Sequence, residues 1–277
     1  MLKNKRHSEI LEILKNEGFA EVRSLGERLY ASQPTIRRDL SYLERNGYVK
    51  RSHGGAVLAD DKINTPISFR RGTKTREKAQ ICRLAATLIP AGSLIFADDS
   101  TTASYLADII EPKDNITVVT NGYSLCRALV QRDIRVFSTG GRLLKNSEAF
   151  VGNIAQENIK NYNAGWLFFS SSSLSRDGII SDYSEEETAL RLTMYARAEH
   201  SVFLCDSTKF EKSSAFCTMS LKNIDYIVCD APLPEELLSK VSFSLAKRDG
   251  QTFMYKNDSK ISFSIDFSSQ ISYNGIN

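Results

Sequence analysis

The chain has 277 residues, 42% hydrophobic and 25% charged, with a net charge of +3. It is long enough to bury a core, either as one large domain or as a small domain joined to a medium one. No run reaches the length of a membrane span, and the opening MLKNKRHSEILEILKNEG is charged and amphipathic without a secretory apolar core, so a cytoplasmic protein with no membrane partner is expected.

Charge is unevenly spread. Residues 1–55 carry 11 Lys and Arg against 7 Asp and Glu, of 36 and 33 in the whole chain, so the positive excess sits in that segment. This hints at a polyanion partner for the amino-terminal part alone. Cys82, Cys126, Cys205, Cys217 and Cys229 lack metal-type pairing and mostly sit in apolar runs such as SVFLCD and DYIVCD, which predicts buried free thiols. His7, His53 and His200 are scattered, so neither a metal site nor a cofactor is expected.

In chain order, Ile10, Leu11 and Leu14 form a helical stripe ending at Gly18, and Val22, Leu25 and Leu29 line a second, shorter helix. Two residues, Ala31 and Ser32, separate it from a third, SQPTIRRDLSYLERNG, with Ser32 as N-cap, Pro34 in the first turn and Gly47 as its stop. Ile36, Leu40 and Leu43 share its buried face, while Gln33, Thr35, Arg37 and Arg38 lie near its exposed amino end. By itself that end reads as an ordinary solvated surface. Its context changes the reading: the short turn before it suits a helix-turn-helix, and YVKRSHGGAV after it suits a tight hairpin around Gly54-Gly55. Three helices and a basic hairpin make a winged helix, whose third helix enters the major groove. There Arg37 and Arg38 can read guanine, Gln33 adenine, and Thr35 a thymine methyl or a phosphate. Lys50 and Arg51 in the wing would meet phosphates, which fix position without reading sequence. Tyr30 and Tyr48 could also reach the backbone, although packing is the commoner fate of an aromatic beside a small core.

From Leu58 to Ile67, LADDKINTPI is polar and aperiodic and reads as a linker. Beyond it, KTREKAQICRLAATLI reads as an amphipathic helix, and SLIFAD, ITVVTN, IRVFST, WLFFS, SVFLCD and DYIVCD as buried strands with helical patterns between most of them. The predicted fold class is α/β: an N-terminal winged helix-turn-helix joined to a largely parallel α/β domain with helices on both faces. Ligands of such sheets sit at strand carboxyl ends. Three stretches fall there: DDSTT, with hydroxyls on Ser100, Thr101 and Thr102; TGGR at Thr139–Arg142; and DSTKF, which brings Lys209. Each alone reads as readily as a cap or turn, but three at equivalent ends suggest an anion site. Near the end, Ile261, Phe263, Ile265 and Phe267 alternate in KISFSIDF, which predicts a strand pairing with QTFMYKND through a turn near Asn257-Asp258. That hairpin packs on its own sheet or meets another subunit. The predicted organisation is 1–57 winged helix, 58–67 linker, 68–241 α/β domain and 242–277 β-rich extension.

The amino-terminal pattern, with TIRRDL at Thr35–Leu40 and the HGGA that follows, closely resembles the DNA-binding region of DeoR-type bacterial transcriptional regulators; Ala31 stands where a small β-branched residue is usual. Residues from about 68 to 240 resemble the sensor domain of that family, whose fold is similar to sugar-phosphate isomerases. Asp98, Ser100, Thr101 and Thr102 match its first motif; Asn121, Gly140, Gly141, Gly152, Glu187, Asp206 and Lys209 match later ones. The resemblance implies a phosphorylated sugar or related metabolite as effector, bound by Ser100, Thr101, Thr102 and Lys209, with Asp98, Asn121, Gly140 and Gly141 in the same site. Arg70 and Lys78 match family positions without an assigned role. Two departures stand out: Gly165 replaces an Asp before an apolar strand, and Ser173 replaces a Gly after it, so the pocket is expected to bind a different sugar or to bind one weakly. Asp99 would repel a phosphate from inside the pocket and is expected to point outward.

The resemblance implies a repressor of a carbohydrate-metabolism operon that partners a double-stranded DNA operator. A single helix-turn-helix reads few bases, so a symmetric homo-oligomer on repeated half-sites is expected. Two other classes compete: an isomerase-like enzyme with an accessory DNA-binding module, for which Asp98, Asp206 and Glu187 supply carboxylates, and a sensor that no longer binds DNA. The missing carboxylate at Gly165 argues against the first and the intact TIRRDL against the second. No catalytic residue is assigned.

Overall fold

The computed structural model describes residues 3–45, 48–52, 54–58 and 67–260. Helix α1 (Lys3–Glu17) buries Ile10, Leu11 and Leu14, and Gly18 ends it in the left-handed conformation at a φ of +75°. Strand β1 (Phe19–Glu21) follows, then α2 (Val22–Arg28), α3 (Gln33–Arg45) and the wing strands β2 (Val49–Ser52) and β3 (Gly55–Leu58). Val22, Leu25, Leu29, Ile36, Leu40 and Leu43 close a small core with the α1 stripe.

This is the winged helix that the spacing predicts, with two differences. The α2–α3 turn has four residues, 29–32, rather than two, because α2 stops at Arg28 and Tyr30 turns the chain at a φ of +49°. Strand β1 adds a third member to the wing, in the antiparallel order β1-β3-β2. Three residues are too few to show alternation. The close approach of β1 requires Gly55, where a Cβ would lie 2.3 Å from the Ala20 carbonyl oxygen. The stop expected at Gly47, the wing-tip His53 and residues 59–66 of the expected linker lie outside the described residues.

The remainder builds one large sheet. Helices α4 (Ile67–Arg70) and α5 (Thr75–Ala86) lead into β4 (Leu94–Ala97), α6 (Leu106–Ile109), β5 (Thr117–Thr120), α7 (Tyr123–Val130) and β6 (Arg135–Ser138). A small hairpin of β7 (Arg142–Leu143) and β8 (Phe150–Val151) precedes α8 (Asn153–Lys160) and β9 (Ala164–Phe169). Next come β10 (Ser173–Leu174), β11 (Ile179–Asp182), α9 (Glu185–Tyr195), β12 (Ala198–Cys205) and β13 (Phe216–Ser220). Strand β14 (Tyr226–Cys229), α10 (Glu235–Leu238), β15 (Phe243–Asp249) and β16 (Thr252–Asn257) complete the described chain.

The six apolar runs become β4, β5, β6, β9, β12 and β14, which lie parallel in the order β14-β12-β9-β4-β5-β6. Alternate residues serve opposite faces. Phe96, Leu167, Phe169 and Phe203 join residues of α8 and α9 in one core, whereas Ile95, Val118, Phe168 and Val202 join residues of α5, α6 and α7 in another. Burial on both faces explains why the inner runs lack polar alternation, whereas β6, at the sheet edge, is mostly exposed and so departs from the expected buried strand. A second sheet, β10-β11-β13, adds Leu174, Ile180 and Met219 to the first core.

At the carboxyl end the sheet gains a strand that the sequence reading lacks. Strand β16, the QTFMYKND segment, pairs with β14 on one side and with β15 on the other, through a turn at Gly250, φ +57°. The chain turns again at Asp258-Ser259, beside the expected Asn257-Asp258, and the expected partner strand, residues 261–267, lies outside the described residues. Strands β15 and β16 therefore extend the large sheet beyond Val241 and form no separate unit. Thiol burial holds for Cys82, Cys205 and Cys229 but not for Cys217, which lies at the exposed start of β13. None of the described helices is long and apolar enough to cross a membrane.

Candidate functional site

The carboxyl ends of β4, β9 and β12 converge on a cavity of about 180 Å³, room for a small metabolite. Parallel pairing puts the loops after these strands on one side of the sheet, so Ser100, Thr101 and Thr102 share the lining with Ser170, Ser171 and Ser172 and with Thr208 and Lys209. Arg70 from α4, Lys78 from α5, Asp182 from β11 and Arg191 from α9 add charge to the wall. Ser8, Leu11 and Glu12 of α1 line it too, so the winged helix contributes to the same cavity.

Two buried charge clusters shape the wall. In the first, Lys78 Nζ donates to Thr101 Oγ1 at 3.1 Å and to the Arg70 carbonyl at 2.6 Å. Burial pushes its ammonium down to about 8, against the opposing pull of Asp206. Lys209 Nζ donates to Ser170 Oγ at 2.5 Å and lies 3.5 Å from Asp206, whose carboxylate also accepts from the Thr208 hydroxyl. Burial acts to raise the Asp206 carboxyl, but Lys209, Thr208 and Lys78 outweigh it and hold the group below the usual carboxylate range.

In the second cluster, Arg191 is buried between two carboxylates, its Nε 3.1 Å from Asp98 Oδ2 and its Nη1 3.2 Å from Asp182 Oδ2. Asp98 also accepts the backbone N–H groups of Ser100 and Ser170, each at 3.1 Å, which ties the β4 and β9 loops together. Asp182 accepts from Ser171 Oγ, Ser172 Oγ and the Tyr183 N–H. Burial opposes its charge, yet Arg191 and these donors hold its carboxyl low. Loss of Arg191 would strand two buried carboxylates, at a cost of about 3–5 kcal/mol.

Asp99 faces this cavity, a correction to the expectation that it points outward, and accepts from Asn121 Nδ2 at 3.0 Å. Burial, then the charges of Glu187 and Asp98, push its carboxyl up to about 8, which favours the neutral acid. A neutral acid does not repel a phosphate, which removes the reason for expecting it outside.

Of the candidate residues, Ser100, Thr101, Thr102 and Lys209 line the cavity; Asp98, Asn121, Gly140 and Gly141 do not. Asp98 and Asn121 stand behind the wall and orient the groups that form it. Gly140 and Gly141 make the turn between β6 and β7, where a Cβ on Gly141, at a φ of +102°, would lie 2.5 Å from the Val151 carbonyl oxygen. Their service is to chain packing. Gly165 lies at the amino end of β9, opposite to Ser170, so a carboxylate missing there removes nothing from the cavity. Ser173 shares a hydrogen bond of 2.6 Å with Ser214, outside the lining. Arg70 and Lys78 had no role in the sequence reading, and Asp182 and Arg191 were missed. Arg191 did carry a signal: it falls on one buried helix face with Glu187, Leu190 and Met194, where a charge needs a partner.

On the winged helix, Gln33, Arg37 and Arg38 are exposed at the start of α3, and Thr35 is half-buried with its Oγ1 2.9 Å from Ser32 Oγ. Asp39, the acid of TIRRDL, is buried and accepts from Arg6 Nε at 2.5 Å and His7 Nε2 at 2.8 Å, which pins α1 to α3 and withdraws its charge from the exposed arginines. Lys50 and Arg51 are exposed on β2; Arg51 Nη1 donates to Ser41 Oγ at 3.1 Å, strapping the wing to α3. Tyr30 is 97% exposed, so it does not pack on the core as an aromatic there commonly does.

Residues 6–62 match the DeoR-like helix-turn-helix domain, and residues 73–231 match the DeoR C terminal sensor domain. The chain is 29% identical over 239 residues to the glycerol-3-phosphate regulon repressor of Escherichia coli strain K12, covering 86% of this chain and 95% of that one. It is 33% identical over 235 residues to an uncharacterized HTH-type transcriptional regulator of Bacillus subtilis strain 168, covering 84% and 91%. Among solved structures, a ribose 5-phosphate isomerase A of Methanocaldococcus jannaschii is similar at 13% identity and a TM-score of 0.39, covering 50% of this chain and 56% of that one. With a winged helix and a sensor domain both matched, in the order in which the fold presents them, the chain belongs to the DeoR family of DNA-binding transcriptional regulators.

Proposed function

We propose that the protein represses a carbohydrate-metabolism operon, and that a phosphorylated sugar or related metabolite bound in the cavity changes its affinity for the operator. The observation that carries this reading is the meeting of Lys78 and Lys209 with the Ser100, Thr101 and Thr102 hydroxyls in one small cavity at the strand ends. A phosphate suits that set, because ammonium and hydroxyl groups can donate to several of its oxygens at once. Burial raises the Asp99 carboxyl and so lessens its opposing charge. Ser171, Ser172 and Asp182 offer partners for sugar hydroxyls. The repressor name of the Escherichia coli relative supports the same reading and favours a sensor over an enzyme.

On DNA, Arg37 and Arg38 with Gln33 and Thr35 read base edges, while Lys50 and Arg51 hold phosphates. The protein works in the cytoplasm as a symmetric oligomer on repeated half-sites. A thermal-shift screen of the purified chain against phosphorylated and unphosphorylated sugars tests the cavity. A sugar phosphate at a hundred times its dissociation constant adds about 2.7 kcal/mol, raising Tm by several degrees, and Lys209→Ala and Thr101→Val abolish the shift. No shift with any phosphorylated sugar, or an equal shift in both variants, overturns the reading.

A further inference from the structure

Arg70 ends α4, the first described element after the segment joining the two domains. Its Nε and Nη2 are buried at the cavity without a hydrogen-bond partner. Buried donors of this kind gain from an acceptor, which a molecule bound in the cavity can bring. The Arg70 charge acts on Asp99, Asp182 and Glu187 at a distance, but none of them hydrogen-bonds those two nitrogens: Asp98 and Asp182 bond Arg191, and Asp99 bonds Asn121. The Arg70 carbonyl is meanwhile held by Lys78, whose second bond reaches Thr101. Helix α4 also packs against α1, whose Leu11 and Glu12 line the same cavity.

We propose that Arg70 contacts the effector, its Nε and Nη2 donating to an oxygen of the bound metabolite, and that this bond carries cavity occupancy into α1. The proposal rests on the sugar-phosphate reading and adds a second acceptor, a hydroxyl or carboxylate oxygen of the sugar distinct from the phosphate. Charge sets the direction. A bound anion is drawn to Arg70 and Lys78 and repels Glu12, so filling the cavity tightens α4 and loosens α1. Because α1 grips Asp39 of α3 through Arg6 and His7, that loosening reaches the DNA-reading helix. Linkage then requires operator DNA to weaken effector binding by the same factor as effector weakens operator binding.

Hydrogen exchange of the full chain tests this, with ribose 5-phosphate, glucose 6-phosphate, glycerol 3-phosphate and 6-phosphogluconate each added at saturation. With a binding probe, exchange slows at 98–102, 206–209 and 67–71 and quickens in α1. In Arg70→Ala the loops at 98–102 and 206–209 still respond, the probe binds about ten- to a hundredfold more weakly, and α1 no longer responds. Arg70→Lys recovers part of the affinity; Arg70→Gln, which keeps most of the volume, reproduces the loss if the alanine variant is unstable. A loop response with α1 unchanged or slowed, or an α1 response that survives Arg70→Ala, overturns this proposal alone. No response at 98–102 with any probe removes it together with the sugar-phosphate reading.

Discussion

Lys78 and Asp99 share one cavity and change charge near the same pH, the first brought down to about 8 by burial and the second raised to about 8 by burial and then by Glu187 and Asp98. Below that pH the two present a cation and a neutral acid; above it, a neutral amine and a carboxylate. Effector affinity measured by calorimetry is expected to fall as pH rises through about 8, and Asp99→Asn should soften the fall. Affinity constant from about pH 7 to about pH 9 would contradict this account. Stability follows the same groups. Asp99 binds its proton more tightly folded than unfolded, so its contribution is full below its ordinary 3.8 and is lost as pH climbs to about 8. Lys78 has the reverse sign: its penalty holds below about 8 and is relieved towards its ordinary 10.5. At this scale the hydroxyls of Ser100, Thr101 and Thr102 were legible, because they fall in a single loop at a strand end. Arg191 and Asp182 were not, since each comes from a different element and only folding brings them to Asp98.

Among the elements, α3 carries the sharpest functional expectation. Arg37→Ala and Arg38→Ala should each cost about 1–3 kcal/mol of specific operator binding, whereas Lys50→Ala should mainly reduce the dependence of affinity on salt. Titrations of operator and non-specific duplex at several salt concentrations separate the two effects; unchanged operator affinity in both arginine variants would remove α3 from the groove. The longer helices and the six parallel strands were readable because each repeats its apolar signal over more than a turn of helix or over a continuous strand, whereas α4 and α10, of four residues each, do not. Strands β7, β8 and β10, of two residues each, repeat nothing. Strand β15 was hidden for another reason: only its first residue, Phe243, is buried, so its composition resembles a polar loop.

For the whole molecule, the expected assembly is a closed symmetric oligomer, because one α3 covers too few base pairs to select an operator. Light scattering of the protein on its operator should give an even number of chains; a monomer would contradict it. The joining of the two domains at one cavity was out of reach of sequence reading, since Leu11 is predicted as core of the winged helix and also lines the cavity. One further consequence lies at the edge of the large sheet. Among the described residues β15 is an outermost strand, it shifts register between Leu245 and Lys247, and its Lys247, Arg248 and Asp249 are exposed. An irregular, charged border makes a poor template for another chain. Copies crowded together in a cell thus have little tendency to stack into ribbons along that border, and a regulator spared from clumping stays available to search the chromosome.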